Sequence, residues 1–454
     1  MLLIVAGVLL VSAYLGPRAS TRYLVLLIGA GLALAFLQRP ALGLAALMVA
    51  GPLVPFAVGT GTQTDLNTSV LLAGLLTGLW ILCLLLGRQR LFLSRPARPL
   101  LGLCLVAILA FIGGQIPWIP FAQPAPLRAQ LGGLAVFLLS AGVFLFAAHQ
   151  VSDVRWLARL TWIFLGLGAL YVIGRIVPPL GSLAVPLFQQ GSTGSLFWTW
   201  LSALAFAQAV FNRRLHPLWR LVLSGLVLAT LYVGLFQSRW WASGWLPPLV
   251  AMVAILWAGA PRWGLLTTLA GSAVALLNLP AVINLLMVGD QEYSLITRAE
   301  AWRIVAEIVK VNPVLGLGPA NYYHYTPLFP ILGWYVNFSS HNQYVDLVAQ
   351  TGLLGLACFL WFVWEAGRLG WRLRKEAPAG FAQAYVYGTF GGLVGTAVAG
   401  LLADWVLPFV YNIGLAGFRA SIMGWLFLGG MCALERSGTV AAALGKSMPS
   451  GSQG

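Results

Sequence analysis

Charged side chains are scarce in this chain, which has 454 residues of which only 8% are Asp, Glu, Lys or Arg. Hydrophobic residues make up 60% of the sequence, and its mean hydropathy is +0.88. A water-soluble globule of this length cannot be covered by so few polar groups. The composition therefore excludes the soluble classes and predicts a polytopic membrane protein.

Cysteines and acidic residues are few as well. The cysteines stand singly inside apolar runs, with no CxxC pair: Cys83, Cys104, Cys358 and Cys432. That spacing excludes a disulfide framework and a cysteine metal site. The acids on the side assigned below as extracytoplasmic are scattered and include no DxD or paired carboxylates, so no Mg²⁺ or Mn²⁺ site is predicted. We expect no metal and no cofactor.

Long apolar runs recur from one end of the chain to the other. A helix needs about 20 apolar residues to cross the hydrocarbon core, and membrane-barrel strands would alternate polar and apolar residues, which these runs do not. The sequence predicts an all-α polytopic membrane protein with about 12–14 transmembrane helices, the lower number applying if the first pair does not fully cross. The predicted spans are 1–16, 22–37, 40–58, 69–87, 99–116, 129–149, 156–174, 196–212, 218–236, 241–259, 263–280, 343–367, 383–402 and 412–434.

Basic residues fall on alternate joints between these spans. Because short cytoplasmic loops carry the excess of Lys and Arg, joints such as 88–98, 213–220 and 368–375 are predicted to be cytoplasmic, as are both termini. The net charge of +15 follows mostly from this topology and gives no reason to expect a nucleic-acid partner. The extracytoplasmic joints are then 59–68, 117–127, 175–195, 281–342 and 403–411.

One extracytoplasmic joint is far longer than the others. Residues 281–342 separate the N-terminal helices of 1–280 from the C-terminal helices of 343–434, and the tail 435–454 is expected to be a disordered cytoplasmic segment. Long loops in compact proteins are usually functional or disordered. The many aromatic residues of this loop argue against disorder and predict a lid on the membrane interface that carries the catalytic elements.

A helix is predicted within this loop, in the stretch TRAEAWRIVAEIVKVNP. Thr297 and Glu300 form a capping box at its start, and the helix stops before Pro313. The following NPVLGLGPANYYHY contains a GLG that alone is weak evidence for a phosphate contact, so we interpret it as a plain turn. The predicted apolar face of the helix comprises Leu295, Ala299, Trp302, Ala306 and Val309.

Two arginines lie on the extracytoplasmic side where an anion could bind. Arg298 projects within the apolar sector of the predicted helix, in its first turn, beside the unpaired N–H groups that suit phosphate oxygens. Arg239, in LFQSRWWASGW, lies at the outer mouth of a membrane helix with no acid near it in sequence. A guanidinium at that depth needs a partner, which an anionic ligand would supply. The alternative for each is a side chain that snorkels to lipid headgroups.

His341 follows a pair of serines on the same side, and either serine could cap the helix that begins there. A single interfacial histidine is more often structural than catalytic. Together with Arg239 and Arg298, however, it completes the groups that displace a diphosphate: cations for the leaving group and a base of near-neutral pKa for the incoming hydroxyl. On a regular helix Asp346 would point about 140° away from His341, so we do not expect it to orient the ring.

Three segments, in this order, resemble the signature region of the O-antigen ligase and polymerase superfamily of bacterial envelope glycosyltransferases. They are SRWW at 238–241, LITRAEAWRIVAEIVKVNPVLGLGPANYY at 295–323 and SHNQYVDLVAQTGLLGL at 340–356. The resemblance implies metal-independent transfer of a glycan from undecaprenyl diphosphate to an acceptor hydroxyl, on the extracytoplasmic face of the bacterial inner membrane. It gives Arg239 and Arg298 the diphosphate and His341 the activation of the acceptor.

The acceptor is less defined than the donor. We interpret the chain as a ligase that uses lipid A-core or a similar lipid-anchored acceptor, and a polymerase that extends another lipid-linked glycan with the same donor chemistry is the alternative. Further contacts to the substrate are expected from Tyr322, Tyr323, Asn342 and Tyr344.

Two other classes of protein also have many membrane helices. A small-anion transporter of the bicarbonate type should show charged or broken helices at mid-membrane and an internal repeat, and we find no clear repeat. A non-catalytic envelope assembly factor would explain the aromatic loop as a docking surface. It would not explain two arginines and a histidine on the same membrane face.

Overall fold

The protein is described by a computed structural model over residues 31–62, 64–89, 91–281 and 295–447. The predicted span 1–16 and most of 22–37 lie outside these residues, and residues 31–38 are helical. The first helices are α1 (Pro40–Leu53), α2 (Thr68–Leu85), α3 (Ala97–Gly113), α4 (Leu127–Gln150), α5 (Val154–Ile176), α6 (Pro178–Ala184) and α7 (Ser195–Phe211). A hairpin of β1 (Ala57–Gly59) and β2 (Asp65–Asn67), antiparallel with Ala57 opposite Asn67, joins α1 to α2.

The second half of the chain is built in the same way. It contains α8 (Pro217–Tyr232), α9 (Ala242–Gly259), α10 (Pro261–Leu277), α11 (Leu295–Val309), the one-turn α12 (Tyr322–Tyr325), α13 (Gln343–Glu376), α14 (Phe381–Leu402) and α15 (Gly414–Ser447). α8 continues as a π-helical turn, Val233–Gln237, and short 3₁₀ turns occur at Val185–Leu187 and Thr326–Leu328.

Each predicted span from 40–58 onward contains one helix. Within the described residues, eight helices are long and apolar enough to cross a membrane, and α1, α3 and α7 are shorter apolar helices. This confirms the prediction of an all-α polytopic membrane protein. Most predicted boundaries move by a few residues, but α13 is helical to Glu376 where the sequence predicts an end at 367, and α15 is helical to Ser447 where it predicts an end at 434. The prediction of a disordered tail from residue 435 is therefore wrong as far as Ser447, because the helix of the last span continues beyond its apolar part.

The helices pack closely where their facing residues are small. A Cβ at Gly391 of α14 would lie 2.6 Å from the carbonyl oxygen of Ala251 in α9, and one at Gly395 would lie 2.8 Å from that of Pro247. Small residues let helix backbones approach, and such contacts drive helix association where the surrounding lipid is as apolar as the side chains. α15 is the most enclosed of the long helices, with 94% of its apolar window buried.

The loops predicted to be extracytoplasmic meet at one end of the bundle, which we call the loop end. The contacts that join them include Gln189 N to Pro52 O at 2.8 Å, Arg128 Nη1 to Thr60 O at 2.6 Å, Asn321 Nδ2 to Gly114 O at 3.0 Å, and the Trp241 ring against the Trp405 ring at 5.9 Å. Chain segments that are far apart in sequence thus surround one surface.

The basic joints meet at the opposite end, which we call the arginine end. Their contacts include Arg436 Nη1 to His149 O at 2.7 Å, Phe92 N to His149 Nε2 at 2.7 Å, and Gln150 Nε2 to Gln89 Oε1 at 2.8 Å. Joints predicted to be on opposite sides of the membrane therefore lie at opposite ends of the helix bundle.

The long loop folds over the loop end, and its described part, residues 295–342, is ordered around a small apolar core. Tyr322, Tyr325 and Phe338 pack with the buried face of α11, with Ala349 of α13 and with Phe409. This core is separate from the main core between the membrane helices. The aromatic residues of the loop thus fix it on the bundle.

α11 differs from the helix predicted there. It is already helical at Leu295, so Thr297 lies within the helix and does not cap its start. The buried residues of α11 are Ala301, Ile304, Val305, Ile308 and Val309. Ala299 and Ala306 of the predicted apolar face are exposed. Alanine is tolerated on either face of a helix, and the contacts with α13 decide which face is covered. Arg298 lies three residues before Ala301, at the end of this buried face.

The GLG turn packs against a break in α13. Gly352 has a φ of +67°, and there the N–H groups of Leu353 and Leu354 donate to the carbonyl oxygens of Pro313 and Val314. The N–H groups of Leu317 and Gly318 donate in turn to Ala349 and Gln350. The backbone groups freed by the break are satisfied by the loop, so the structure gives the GLG a packing role.

Candidate functional site

His341 lies at the centre of the loop end, two residues before α13 begins. Its backbone is left-handed, with a φ of +48°, a conformation that costs a non-glycine residue of order 1–3 kcal/mol. The helix cap is Asn342, whose Oδ1 accepts from the N–H groups of Tyr344 and Val345, and this corrects the prediction that a serine caps the helix. His341 is thus presented on a sharp turn that leads into a rigid helix.

Ser340 is fixed on every side and holds this turn. Its N–H donates to Oη of Tyr322 at 3.2 Å, its carbonyl oxygen accepts from Nε1 of Trp302 at 2.8 Å, and its hydroxyl lies 2.8 Å from Oδ1 of Asp346. The hydroxyl of Tyr322 donates to the same Asp346 oxygen. Three elements, α11, α12 and α13, therefore fix the backbone of the residue before His341.

Arg298 lies close enough to His341 for its charge to act on the ring. Burial and the charge of Arg298 lower the pKa of His341 to about 4. The imidazole is therefore neutral at neutral pH and able to accept a proton. Nη1 of Arg298 donates to the carbonyl oxygen of Leu402 at 3.2 Å, which fixes the guanidinium beside the loop that follows α14. The structure thus brings the predicted catalytic histidine together with one of the two arginines predicted to bind the diphosphate.

The loop between α14 and α15, residues 403–413, supplies groups that sequence reasoning missed. Nδ2 of Asn412 lies 3.3 Å from Nδ1 of His341 and also contacts Oδ1 of Asp404. Burial raises the pKa of Asp404 to about 6. An acid at the end of an apolar helix is a functional signal in a membrane protein, and it was the available clue to this loop.

Arg239 lies at the same end of the bundle, in the hairpin between α8 and α9. Its side chain is exposed and lies over the ring of Trp240, 4.8 Å from the ring centroid. The hairpin reaches the 403–413 loop through the Trp241 ring, which contacts that of Trp405. Arg239 therefore lies in a hairpin that contacts the 403–413 loop, while its own side chain contacts Trp240.

A further arginine, Arg175, lies next to this hairpin. Its Nη2 is 3.5 Å from Oγ of Ser238, and the two residues line a cavity of about 130 Å³ together with Thr193 and Trp241. The predicted topology puts Arg175 at the start of a joint that is poor in basic residues and assigns it no role. Arg175 lies in the last turn of α5, and a cation at the end of a long apolar helix was the available signal.

The predicted substrate contacts divide into two groups. Tyr322 is fully buried, and burial and the charge of Asp346 raise its pKa well above the ordinary value, so it acts as a donor inside the protein. Asn342 uses its amide for capping and donates to the carbonyl oxygen of Leu401 at 3.2 Å. Tyr344 is half-buried and donates to the carbonyl oxygen of Ala397 at 2.7 Å. Tyr323 is half-buried as well, and its ring stacks on that of Tyr411 with 4.5 Å between the centroids.

The carboxylates of the site are nearer to each other than the sequence predicts. Asp346 and Asp404 are 58 positions apart, yet their charges interact, and both act on Tyr322. The sequence counts Asp404 among the scattered extracytoplasmic acids and places Asp346 in a membrane span, so the proximity of this pair was not predicted. Within the described ranges, no three His, Cys, Asp or Glu side chains are grouped so that they could hold a metal ion.

Comparison with known families bears on this site directly. Residues 180–360 match the sequence model of the O-antigen ligase family. The matched region includes Arg239, Arg298 and His341, whereas Asp404 and Asn412 lie beyond it. Curated proteins gave no match. The family consists of glycosyltransferase-type enzymes, and the match gives no support to the transporter alternative. Residues 180–360 of this multi-pass membrane protein are thus similar to the O-antigen ligase family, which supports its relation to the O-antigen ligase and polymerase superfamily.

Proposed function

We propose that this protein is an O-antigen ligase-like enzyme that transfers a glycan from undecaprenyl diphosphate to an acceptor hydroxyl, such as one of lipid A-core. The observation that carries the proposal is the pairing of Arg298 with a neutral His341 inside the region that matches the family. A fixed cation beside an uncharged imidazole suits a reaction in which an anion leaves while a hydroxyl loses its proton.

The loop end faces the extracytoplasmic side of the bacterial inner membrane in this proposal. The support is the collection of basic joints at the arginine end, because the positive excess of short loops marks the cytoplasmic side. Both termini are then cytoplasmic. In this orientation we expect a lipid-linked donor and a lipid-anchored acceptor to reach the site from the same face of the membrane.

The proposed reaction is a single displacement at the anomeric carbon of the donor. The acceptor oxygen forms a bond to that carbon as its proton passes to His341, and the bond between the carbon and the phosphate oxygen breaks. Undecaprenyl diphosphate leaves with the electron pair of that bond. The planar guanidinium of Arg298 binds two phosphate oxygens at once, and Arg239 contributes a second cation.

The arginines supply the charge stabilisation for which many glycosyltransferases use a divalent ion. When the diphosphate is bound, its negative charge also offsets the effect of Arg298 on His341. The pKa of the ring then rises toward its ordinary value, which makes the imidazole a stronger base when both substrates are present. Of the four predicted substrate contacts, Tyr323 is the one that we retain as a sugar contact.

The test is glycan transfer by the purified protein from a synthetic undecaprenyl diphosphate oligosaccharide, with EDTA present. His341→Gln and Arg298→Lys are compared at equal folded amounts with two matched controls. His216→Gln changes an exposed histidine before α8, at the other end of the bundle, and Arg303→Lys changes an exposed arginine of α11 that pairs with Glu300.

Wild type and both controls should transfer the glycan, and His341→Gln should lose roughly 10²–10⁴-fold in rate. Arg298→Lys should also fail, because an ammonium cannot form two parallel bonds to phosphate. Offering lipid A-core and a second lipid-linked glycan separately distinguishes ligase from polymerase. Equal activity in all five proteins, or transfer that requires a divalent ion, would contradict the proposal.

A further inference from the structure

Hydrogen bonds connect the ring of His341 to the side chains of Asn412 and Asp404. Nδ2 of Asn412 contacts both Nδ1 of His341, at 3.3 Å, and Oδ1 of Asp404. The second carboxylate oxygen, Oδ2, accepts from the N–H of Phe409 at 2.7 Å. Asp404 and Asn412 stand at the two ends of one short loop, so a tight turn of backbone fixes their spacing.

We propose that Asp404 and Asn412 are positioning residues that decide which ring nitrogen of His341 carries the proton. A neutral histidine has one ring N–H, and the hydrogen bond made at one nitrogen determines the state of the other. The proposal deepens the proposed function, since its consequence for catalysis rests on His341 acting as the base.

With Asp404 ionised, the orientation of the Asn412 amide is fixed. A carboxylate only accepts hydrogen bonds, so Nδ2 of Asn412 must face Oδ1 of Asp404. The second hydrogen of the same amide nitrogen then points to Nδ1 of His341, which must accept it. The ring proton consequently lies on Nε2, and His341 offers the substrates a donor in place of a base.

When Asp404 is protonated, the side-chain amide of Asn412 can rotate by 180°, so that its oxygen and nitrogen exchange places. The proton belongs on Oδ1, because Oδ2 already accepts from Phe409. The acid then donates to the carbonyl oxygen of Asn412, and the same oxygen accepts an N–H from Nδ1 of His341. The ring proton now lies on Nδ1, and Nε2 is the nitrogen that takes the proton of the acceptor hydroxyl.

The surroundings of Asp404 allow both states near neutral pH. Burial raises its pKa to about 6, while the amide of Asn412 and the backbone N–H groups of Phe409, Asp404 and Ile413 favour the charged form. The ionisable groups on neighbouring elements that interact electrostatically with His341 or Asp404 are Asp346, Tyr322 and Arg298. An anionic diphosphate at Arg298 adds negative charge here and favours the protonated acid. Donor binding and the base form of His341 are therefore coupled.

The test is the ¹⁵N spectrum of histidine-labelled protein in lipid bilayers, recorded as pH is varied. The chain has only four histidines, so comparison with His341→Gln assigns the His341 signals. In the wild type the ring proton should move from Nδ1 to Nε2 as pH rises through the pKa of Asp404. The titration is recorded on the native chain, and His341→Gln serves only to assign the signals.

A swap of the two side chains provides the matched variant. In Asp404→Asn/Asn412→Asp the introduced amide still accepts from Phe409 and donates to the introduced carboxylate, which accepts from Nδ1 of His341 wherever it is ionised. The ring proton should stay on Nδ1 throughout that range. Transfer should then persist at the higher pH where the wild-type rate falls, and Asn412→Leu should lose up to about 10⁴-fold, as expected for a wrong tautomer.

A wild-type ring that keeps its proton on one nitrogen across this range, or a swap with the wild-type tautomer, would overturn the inference. If the tautomers shift as expected while His341→Gln transfers glycan normally, the inference stands and the general-base role in the proposed function fails. A purely structural role for the loop predicts that the swap changes stability and leaves the pH profile of transfer in place.

Discussion

At the scale of single residues, the site depends on a histidine that is held in an unfavourable backbone conformation. Ser340 is bonded through its N–H, carbonyl and hydroxyl groups, and the helix cap follows at Asn342. Because these contacts fix the backbone on both sides of His341, they hold its φ angle in the left-handed region. Strain of this kind persists where the surrounding structure over-determines it, and it is typical of functional positions.

Replacing His341 should separate stability from activity. His341→Gly relieves the backbone strain and His341→Ala does not, so the glycine variant should melt at a temperature equal to or above that of the alanine variant. Both should lose transfer. The control is Ala299→Gly on the exposed side of α11, where glycine should cost about 1 kcal/mol. A glycine variant of His341 that is clearly the less stable would show that the left-handed turn stores no strain.

The low pKa of His341 predicts how activity depends on pH. The ring is neutral above about pH 4 in the free protein, so kcat/KM should fall as pH drops through that value and the imidazole becomes charged. Bound diphosphate offsets Arg298, so the acid limb of kcat should lie at higher pH than that of kcat/KM. Coincident limbs would indicate that Arg298 does not face the diphosphate.

Residue patterns predicted part of this site. Arg298 and His341 could be identified because a cation and a titratable ring are unusual in so apolar a chain. Asn412 could not, since a single asparagine in a short joint carries no periodicity and no charge. The burial of Tyr322 could not be predicted from the sequence either, because it depends on contacts with α13 and Phe409, which are distant in sequence.

At the scale of elements, the break in α13 joins the long loop to the membrane helices. A Cβ on Gly352 would lie 2.1 Å from the carbonyl oxygen of Val314, and one on Gly316 would lie 2.6 Å from the N atom of Gly352. Both glycines have positive φ. The backbone of the loop after α11 contacts the backbone of α13 directly at this point. The position of α13 relative to α11 therefore depends on two residues that have no side chain.

Gly352→Ala should therefore lower the melting temperature and the rate of transfer together. The left-handed φ alone costs an alanine about 1–2 kcal/mol, and the contact with Val314 adds to it. The matched control is Gly367→Ala on the same helix, where the added Cβ meets only a side-chain atom of Leu393 at 3.9 Å. That variant should be as stable as wild type or more stable. Equal melting temperatures for the two variants would contradict the packing role of the break.

Element positions were predictable where hydrophobicity alone decides them. The spans were found because a helix in lipid must be apolar over its length. The start and buried face of α11 were predicted wrongly, because its alanines suit either face and tertiary contacts choose between them. The break at Gly352 was not predicted, since a glycine within an apolar run gives no sign of its φ.

At the scale of the whole molecule, the two ends of the bundle differ in charge and in content. The arginine end gathers the short basic joints, and the loop end gathers the long loop, the 403–413 loop and the hairpin of Arg239. By the positive-inside rule, this asymmetry supports the proposed orientation of the protein. In that orientation the site lies on the side where lipid-linked glycans are transferred in the proposed reaction.

Single cysteines in a cysteine-free variant test this orientation. Ser182→Cys lies in exposed α6 at the loop end, and Arg213→Cys lies in an exposed joint at the arginine end. A membrane-impermeant maleimide should label the first in intact spheroplasts and the second only after permeabilisation. The reverse pattern would place the site in the cytoplasm and contradict the proposed sidedness.

The most direct test of the central claim is the product balance of the wild-type protein in liposomes with donor and acceptor both present. The account predicts one undecaprenyl diphosphate released for each glycan that appears on the acceptor. Glycan or a small anion that crosses the membrane while the carrier stays glycosylated would contradict the account. Such a result would show that the arginines and His341 bind an anion without displacing a diphosphate.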